Sequence, residues 1–282
     1  VDKLIDDLNS VERYVPSKWE WLDNSLGGGF LEAGKALYVF AGETNIGKSI
    51  FLGNIASNIA EQGKNVLLVT LEMSELLYAR RICSNVTKIP MKQMADNTPS
   101  IKQAMNNQGG KIFIKEFPPA TITANQLKAF VKKFEEQGIK LDAIVLDYLN
   151  LMHSSVGNNS YERIKHVTEQ VRAMSYLFNC PIISATQLNR AGFDTDNPDL
   201  ATISESIGLA ATADAIISIF QNEEDRGIGI IRLGMMKNRY GPRGITQAMR
   251  IDYSTLTIDQ ADDIEIDEGM DDTLNMLAGL AT

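Results

Sequence analysis

Short, largely apolar runs recur along the chain, each closed by glycine or by a polar side chain. Residues 35–41 lead into Gly42, 65–71 into Glu72, 141–146 into Asp147 and 181–186 into Gln187. Runs of this length predict buried strands. The stretches between them carry apolar residues three and four apart, which predicts helices over 50–60, 74–85, 123–137 and 161–178. A further strand is expected at 111–116, and later ones at 215–220, 228–235 and 247–252. Residues 91–107 are polar and mixed, and Pro99 reads as a breaker there. Strands alternating with helices predict an α/β fold: a mostly parallel twisted sheet with helices on both faces. In such sheets ligands bind beyond the carboxyl ends of the strands, where Gly42, Glu72, Asp147 and Gln187 are expected.

Ahead of the first strand, Val1, Leu4, Ile5, Leu8 and Val11 share one face of a helix, which Pro16 and Ser17 separate from the main domain. Residues 1–16 are therefore read as an N-terminal linker helix, folded on its own domain or docked on a neighbouring subunit. Residues 17–258 are read as the main domain, and 259–282 as an acidic tail expected to be disordered. The first residue is Val rather than Met, so a fragment of something longer, lacking an N-terminal domain, is the expectation.

The loop after the first strand names a ligand. Gly42, Glu43, Thr44, Asn45, Ile46, Gly47, Lys48 and Ser49 spell G-x-x-x-x-G-K-S between a strand and a helix. Glycines let successive backbone N–H groups converge on phosphate, Lys48 reaches the β- and γ-phosphates, and the Ser49 hydroxyl ligates Mg²⁺. Asp147 closes an apolar strand, where a carboxylate can hold the same Mg²⁺. Glu72 is placed to orient and deprotonate water, or is an ordinary acid ahead of a helix. Gln187 is a γ-phosphate sensor or a polar strand end. Lys237 and Arg239 put two cations on a turn. In a ring they would reach the next subunit's nucleotide; otherwise they form a solvated basic hairpin.

Together, the phosphate loop, Leu71-Glu72-Met73-Ser74, Asp147-Tyr148-Leu149, Gln187-Leu188-Asn189-Arg190, Glu205-Ser206, Ala213-Asp214 and Lys237-Asn238-Arg239-Tyr240-Gly241 resemble the ATPase domain of the DnaB-type hexameric replicative DNA helicases. The resemblance runs from about residue 19 to about 258, and its departures from the bacterial pattern point to a phage member. It implies a RecA-like P-loop core and a homo-hexamer with ATP and Mg²⁺ between neighbours. It also implies ATP hydrolysis coupled to translocation on single-stranded DNA and unwinding of duplex. Glu72 becomes the catalytic base, Gln187 the sensor, and Arg239 with Lys237 the groups acting in trans. The loop at 204–208, with Ser204, Glu205, Ile207 and Gly208, is expected to line the DNA channel, with Asn189 and Arg190 as an alternative surface. Ser204 stands where bacterial relatives carry a basic residue, so phosphate contacts through backbone N–H groups are expected. Rivals are a RecA-type recombinase and a nucleotide-switched assembly or signalling ATPase that binds no DNA.

Charge changes this picture less than its total suggests. The chain carries −9, but eight acids and no Lys or Arg lie from Asp259 to the end, and without those acids the remainder stands at −1. Local basic surfaces for nucleic acid are thus compatible with the acidic total. The tail ends in a small apolar patch around Leu274, Met276 and Leu277, read as solvated chain or as a docking peptide for a polymerase, loader or single-strand-binding protein, and a primase is a further expected partner of the protein. No apolar run reaches the roughly 18–20 residues of a membrane span. Cys83 and Cys180 lack metal spacing and read as reduced core residues of a cytoplasmic protein, in the host cytoplasm if phage-encoded.

Overall fold

The computed structural model describes residues 12–188, Leu200 and residues 207–261. Their main sheet has nine strands: β3 (Leu37–Gly42), β4 (Val66–Thr70), β5 (Ile112–Glu116), β6 (Ala143–Asp147), β7 (Ile182–Gln187), β8 (Ala215–Phe220), β9 (Ile230–Asn238), β10 (Thr246–Asp252) and β11 (Thr257–Gln260). A small antiparallel pair, β1 (Tyr14–Val15) and β2 (Phe30–Leu31), precedes them. The order across the sheet is β11-β10-β9-β8-β3-β7-β6-β4-β5. From β8 through β3, β7, β6 and β4 to β5 every pairing is parallel, and β8 to β11 form an antiparallel edge.

The helices are α1 (Glu20–Ser25), α2 (Lys48–Glu61), α3 (Glu75–Thr87), α4 (Thr98–Asn107), α5 (Ala124–Glu136), α6 (Ser160–Phe178), α7 (Ile207–Thr212) and α8 (Glu223–Gly227). Among the described residues no helix is long and apolar enough to cross a membrane. Alternation along β3 decides which helices each face meets. Tyr38 and Phe40 pack with Phe51, Leu52, Ile55 and Ile59 of α2. Leu37, Val39 and Ala41 belong to the opposite cluster, with Leu127 and Val131 of α5 and Ile164, Val167 and Val171 of α6. Both faces of β3 are thereby sealed, and its two ends are left for chemistry.

Helix starts follow local side-chain chemistry. Ser74 accepts a hydrogen bond from Leu77 N at 3.3 Å, Asn159 accepts one from Glu162 N at 2.8 Å, and Thr123 with Gln126 closes a capping box.

Several expectations from the sequence are corrected. Pro99 does not break the 91–107 stretch; it sits in the first turn of α4, where its missing N–H leaves no helical bond unmade. Tyr14 and Val15 are strand, within the span read as linker helix; residues 1–11 of that span lie outside the described residues. Asp259 and Gln260 pair with Arg250 and Met249, so the sheet runs past the boundary drawn at 259. The rest of the acidic tail, 262–282, lies outside the described residues. Lys237 belongs to β9 rather than to a turn, because that strand continues to Asn238.

Candidate functional site

Four strand ends converge at one edge of the sheet. Gly42 of β3 lies opposite Gln187 of β7, Thr70 of β4 lies opposite Asp147 of β6, and β6 and β7 are neighbours. Parallel register therefore brings Gly42, Gln187, Asp147 and the turn holding Glu72 together, as the alternation of strands and helices leads one to expect.

The loop from Gly42 into α2 is shaped by its glycines. Gly47 caps α2 at φ +104°, a conformation that side chains disfavour. A Cβ on Gly42 would lie 2.7 Å from Ile46 Cγ2 and 3.1 Å from Ile219 O, so a side chain there would push the loop and β8 apart. Lys48 folds back over the loop, its ammonium donating to Gly42 O at 3.1 Å and Glu43 O at 2.5 Å. Burial lowers the Lys48 pKa, and Glu72, Asp147 and Glu43 pull the other way. With the helix N-terminus beside it, this is a cradle built for an anion.

Asp147 is fully buried, and neither carboxylate oxygen has a well-formed hydrogen bond to any described residue. Burial raises its pKa to about 6; nearby Glu72 adds to the rise, while the Ser49 and Tyr78 hydroxyls and Lys48 oppose it. The Tyr78 hydroxyl does not satisfy the carboxylate, because it donates its single proton to Ser49 O at 3.0 Å. An unpartnered buried carboxylate is costly unless something supplies positive charge. Among the described residues no three His, Cys, Asp or Glu side chains cluster as a metal cage. One carboxylate beside one hydroxyl is instead the sparse set that Mg²⁺ completes with phosphate oxygens and water. Ser49 and Asp147 therefore fit the ion the sequence implies.

Glu72 is exposed in the turn after β4. Thr70 shapes that turn: its hydroxyl donates to Met73 O at 2.9 Å and accepts from Met73 N at 3.0 Å. Leu71 N donates to Asp147 O at 2.8 Å, which ties the turn to the end of β6. Gln187 donates its side-chain amide to the Thr44 hydroxyl, and Leu188 N donates to Gly42 O at 3.2 Å. The end of β7 is thus fastened to the phosphate loop at two points.

Arg239 and Lys237 are not part of this cluster. Asn238 is opposite Ala215, at the amino end of β8, and Arg239 N donates to Asp214 O at 3.0 Å. Asp214 N in turn donates to Leu37 O at 2.9 Å, at the start of β3. From Leu37 to Gly42 the strand rises roughly 16 Å, so the two cations sit at the opposite end of the strand from the phosphate loop. Lys237 is turned inward, its ammonium donating to Ala210 O at 2.7 Å, Ala211 O at 3.2 Å and Ala213 O at 2.6 Å around the carboxyl end of α7.

Of the residues expected at DNA, Asn189, Arg190, Ser204 and Glu205 lie outside the described residues, as does the side chain of Ile207. Gly208 does not belong to an open loop. It lies in the first turn of α7 and is buried, and a Cβ there would lie 2.6 Å from Lys165 Cβ on α6. Close helix packing is the physical reason for glycine at that position.

Sequence reasoning missed three features: Tyr78 bracing Ser49, the Thr44–Gln187 bond, and the ion pairs that join Asp214 to Arg172 and Arg239. The available signal for the last was an acid directly ahead of a largely apolar, wholly buried strand, Asp214 before β8.

A sequence profile of the family described as DnaB-like helicase C terminal domain matches residues 15–257. The DnaB-like replicative helicase of Enterobacteria phage T4 is 27% identical over 244 residues, covering 82% of this chain and 51% of that protein. The replicative DNA helicase DnaB of Geobacillus stearothermophilus is 26% identical over 227 residues, covering 75% and 49%. The chain spans about half the length of these curated relatives. Among solved structures, one described as an ATPase domain superposes with a TM-score of 0.77 at 20% identity, covering 93% of this chain and 96% of that one. A DnaB-like replicative helicase, solved in a study of its interactions with primase, also gives 0.77, at 19% identity, covering 93% and 65%. At these identities the structural likeness is one of fold.

Proposed function

The chain belongs to the DnaB-like helicase C-terminal domain family, and from that premise we propose that it is the ATPase motor of a replicative DNA helicase, hydrolysing ATP between adjoining protomers of a homo-hexamer. The observation that carries this reading is the division of β3. One end bears the anion cradle, and the other, roughly 16 Å away, bears an arginine that cannot reach that cradle within its own protomer. A second protomer stacked in the same orientation resolves the mismatch by presenting its Arg239 to the first one's nucleotide.

In this reading Gly42 to Ser49 hold the triphosphate, with Lys48 exchanging its two carbonyl partners for phosphate oxygens. Ser49 and Asp147 would hold Mg²⁺, which would supply positive charge against the phosphates. Glu72, held near the site by the Thr70 turn, receives the proton of the attacking water. Gln187 reads the γ-phosphate through Thr44. Arg239 stabilises charge developing on the neighbour's phosphate, an effect of about 10³–10⁵ in rate. Lys237 is the weaker candidate for that role, because it would first have to leave three carbonyls. Single-stranded DNA is assigned to the segments around Asn189, Arg190, Ser204 and Glu205, a loader, polymerase or single-strand-binding protein to the acidic tail, and a primase remains a further partner of the assembly. The nucleotide, the DNA and the host cytoplasm as site of action go together in this proposal.

Mixed rings test it. Arg239→Ala protomers keep an intact cradle and lose the cation, whereas Glu72→Ala protomers keep the cation and lose the base. Each alone should lose most of its DNA-stimulated ATP hydrolysis, leaving a slow residual rate, and should not unwind a fork, and mixing should restore hydrolysis at the interfaces that combine the two good halves. Absence of recovery in rings shown by native mass spectrometry to be mixed would refute action between protomers.

A further inference from the structure

Asp214 is 1% exposed and stands among more donors than a structural carboxylate needs. Its Oδ2 accepts from Leu37 N at 2.9 Å and from Arg172 Nε at 2.8 Å. Its Oδ1 accepts from Arg172 Nη2 at 2.9 Å and from Arg239 Nη1 at 2.6 Å. The bidentate Arg172 pair already neutralises the buried charge. Arg172 is itself held by Tyr176, whose hydroxyl accepts from Nη2 at 3.3 Å and whose ring lies 5.3 Å from the guanidinium, and by Lys35 O at 3.4 Å. The fourth bond is therefore surplus to the burial of Asp214. Its effect falls on Arg239, which is 50% exposed and, among the described residues, makes no other side-chain hydrogen bond.

We propose that Asp214, itself oriented by Arg172 and Leu37, is a positioning residue that holds one edge of the Arg239 guanidinium and leaves the rest of the fork free for a phosphate oxygen on the adjoining protomer. Arginine loses much rotamer freedom when it docks on phosphate. A side chain already fixed at one nitrogen has less to lose, and the gain appears in turnover rather than in nucleotide affinity, because the cradle is on the other protomer. Two guanidinium groups on one carboxylate leave a net positive charge, so Arg239 is held without being neutralised. The inference rests on the reading that Arg239 acts between protomers.

The experiment measures kcat and KM for ATP, with single-stranded DNA present, for Asp214→Asn, Arg239→Ala and the double variant in assembled rings. Outer partners that orient metal ligands are typically worth about 10–100-fold, and on the same scale Asp214→Asn should lower kcat by about 10–100-fold with KM unchanged. The double variant should be no slower than Arg239→Ala. Added Glu72→Ala protomers should restore hydrolysis to Asp214→Asn, which a misfolded subunit could not show. A wild-type kcat for Asp214→Asn, a loss that multiplies with that of Arg239→Ala, or recovery of Arg239→Ala but not Asp214→Asn would overturn the proposal. Should Asp214→Asn fail to fold by circular dichroism, Arg172→Lys, which keeps the cation but loses the fork, is read by the same three criteria. If neither Arg239→Ala nor Asp214→Asn is complemented, the reading of Arg239 between protomers falls, and this proposal with it.

Discussion

The Gln187 side-chain amide donates a hydrogen bond to the Thr44 hydroxyl, joining the last residue of β7 to the phosphate loop. Gln187 is also the residue opposite Gly42 in the sheet. In the proposed function this contact makes Gln187 the residue of β7 that touches the phosphate loop through its side chain. Gln187→Ala should leave nucleotide binding near wild type and cut turnover by about 10²-fold, the usual effect of losing one well-placed donor. Nucleotide titration set against single-turnover hydrolysis measures the two separately; equal losses in both would assign Gln187 to binding alone.

Asp147 sets a pH dependence in protein stripped of metal. Its pKa is about 6 when folded, against 3.8 unperturbed, so between those values the folded chain binds more protons than the unfolded one. Stability from this group is therefore lost as pH rises from the lower value to the upper, and above the upper value the full penalty applies. The span corresponds to something on the order of 3 kcal/mol. In EDTA at mildly alkaline pH, Asp147→Asn should melt above wild type, and the gap should close as pH falls toward the unperturbed pKa. Mg²⁺ with nucleotide should raise the wild-type Tm and leave that of Asp147→Asn little changed. A constant gap across the pH range would contradict the account.

Lys237 caps α7 through three carbonyl oxygens. Removing an ammonium from a helix carboxyl end costs about 1–2 kcal/mol. For a domain of this size that lowers Tm by roughly 2–8 °C. Lys237→Ala should show this in differential scanning calorimetry of the unassembled protein, where no neighbouring nucleotide exists. An unchanged Tm there would mean that the capping contacts carry no weight.

Gly47 offers a separation of strain from clash. A Cβ there would come no closer than 3.7 Å to Ile50 Cδ1, so space is available, but φ is +104°. Gly47→Ala should cost on the order of 1–3 kcal/mol through backbone strain and should lose ATP binding, because the loop relaxes to a conformation that misdirects its N–H groups. Binding at wild-type affinity would show that the loop tolerates a different path.

How much of the site was legible in the sequence depended on range. The residues that close apolar runs, Gly42, Asp147 and Gln187, were readable because a run buried on both faces marks its own end. Glu72 was readable for the same reason, just beyond β4. Pro99 misled because the same residue that ends one helix begins another. Gly208 misled because nothing local distinguishes a glycine in a loop from one that lets two helices touch. The Arg172–Asp214 pair joins residues 42 positions apart, and only the return of α6 to the start of β3 brings them together. The inward turn of Lys237 likewise depends on where α7 ends in space.

The placement of cradle and cation at opposite ends of β3 has a consequence for counting. On the proposed function, in which Arg239 serves the neighbour's nucleotide, a row of protomers joined head to tail would finish with one unused arginine and one unserved nucleotide, whereas a closed circle would have neither. Six protomers in an open arc would therefore burn fuel at five stations, and closing the gap would add the sixth. In that proposal, whatever opened the circle would switch off one station for as long as it stayed open, so that fuel use itself would report whether the circle is shut.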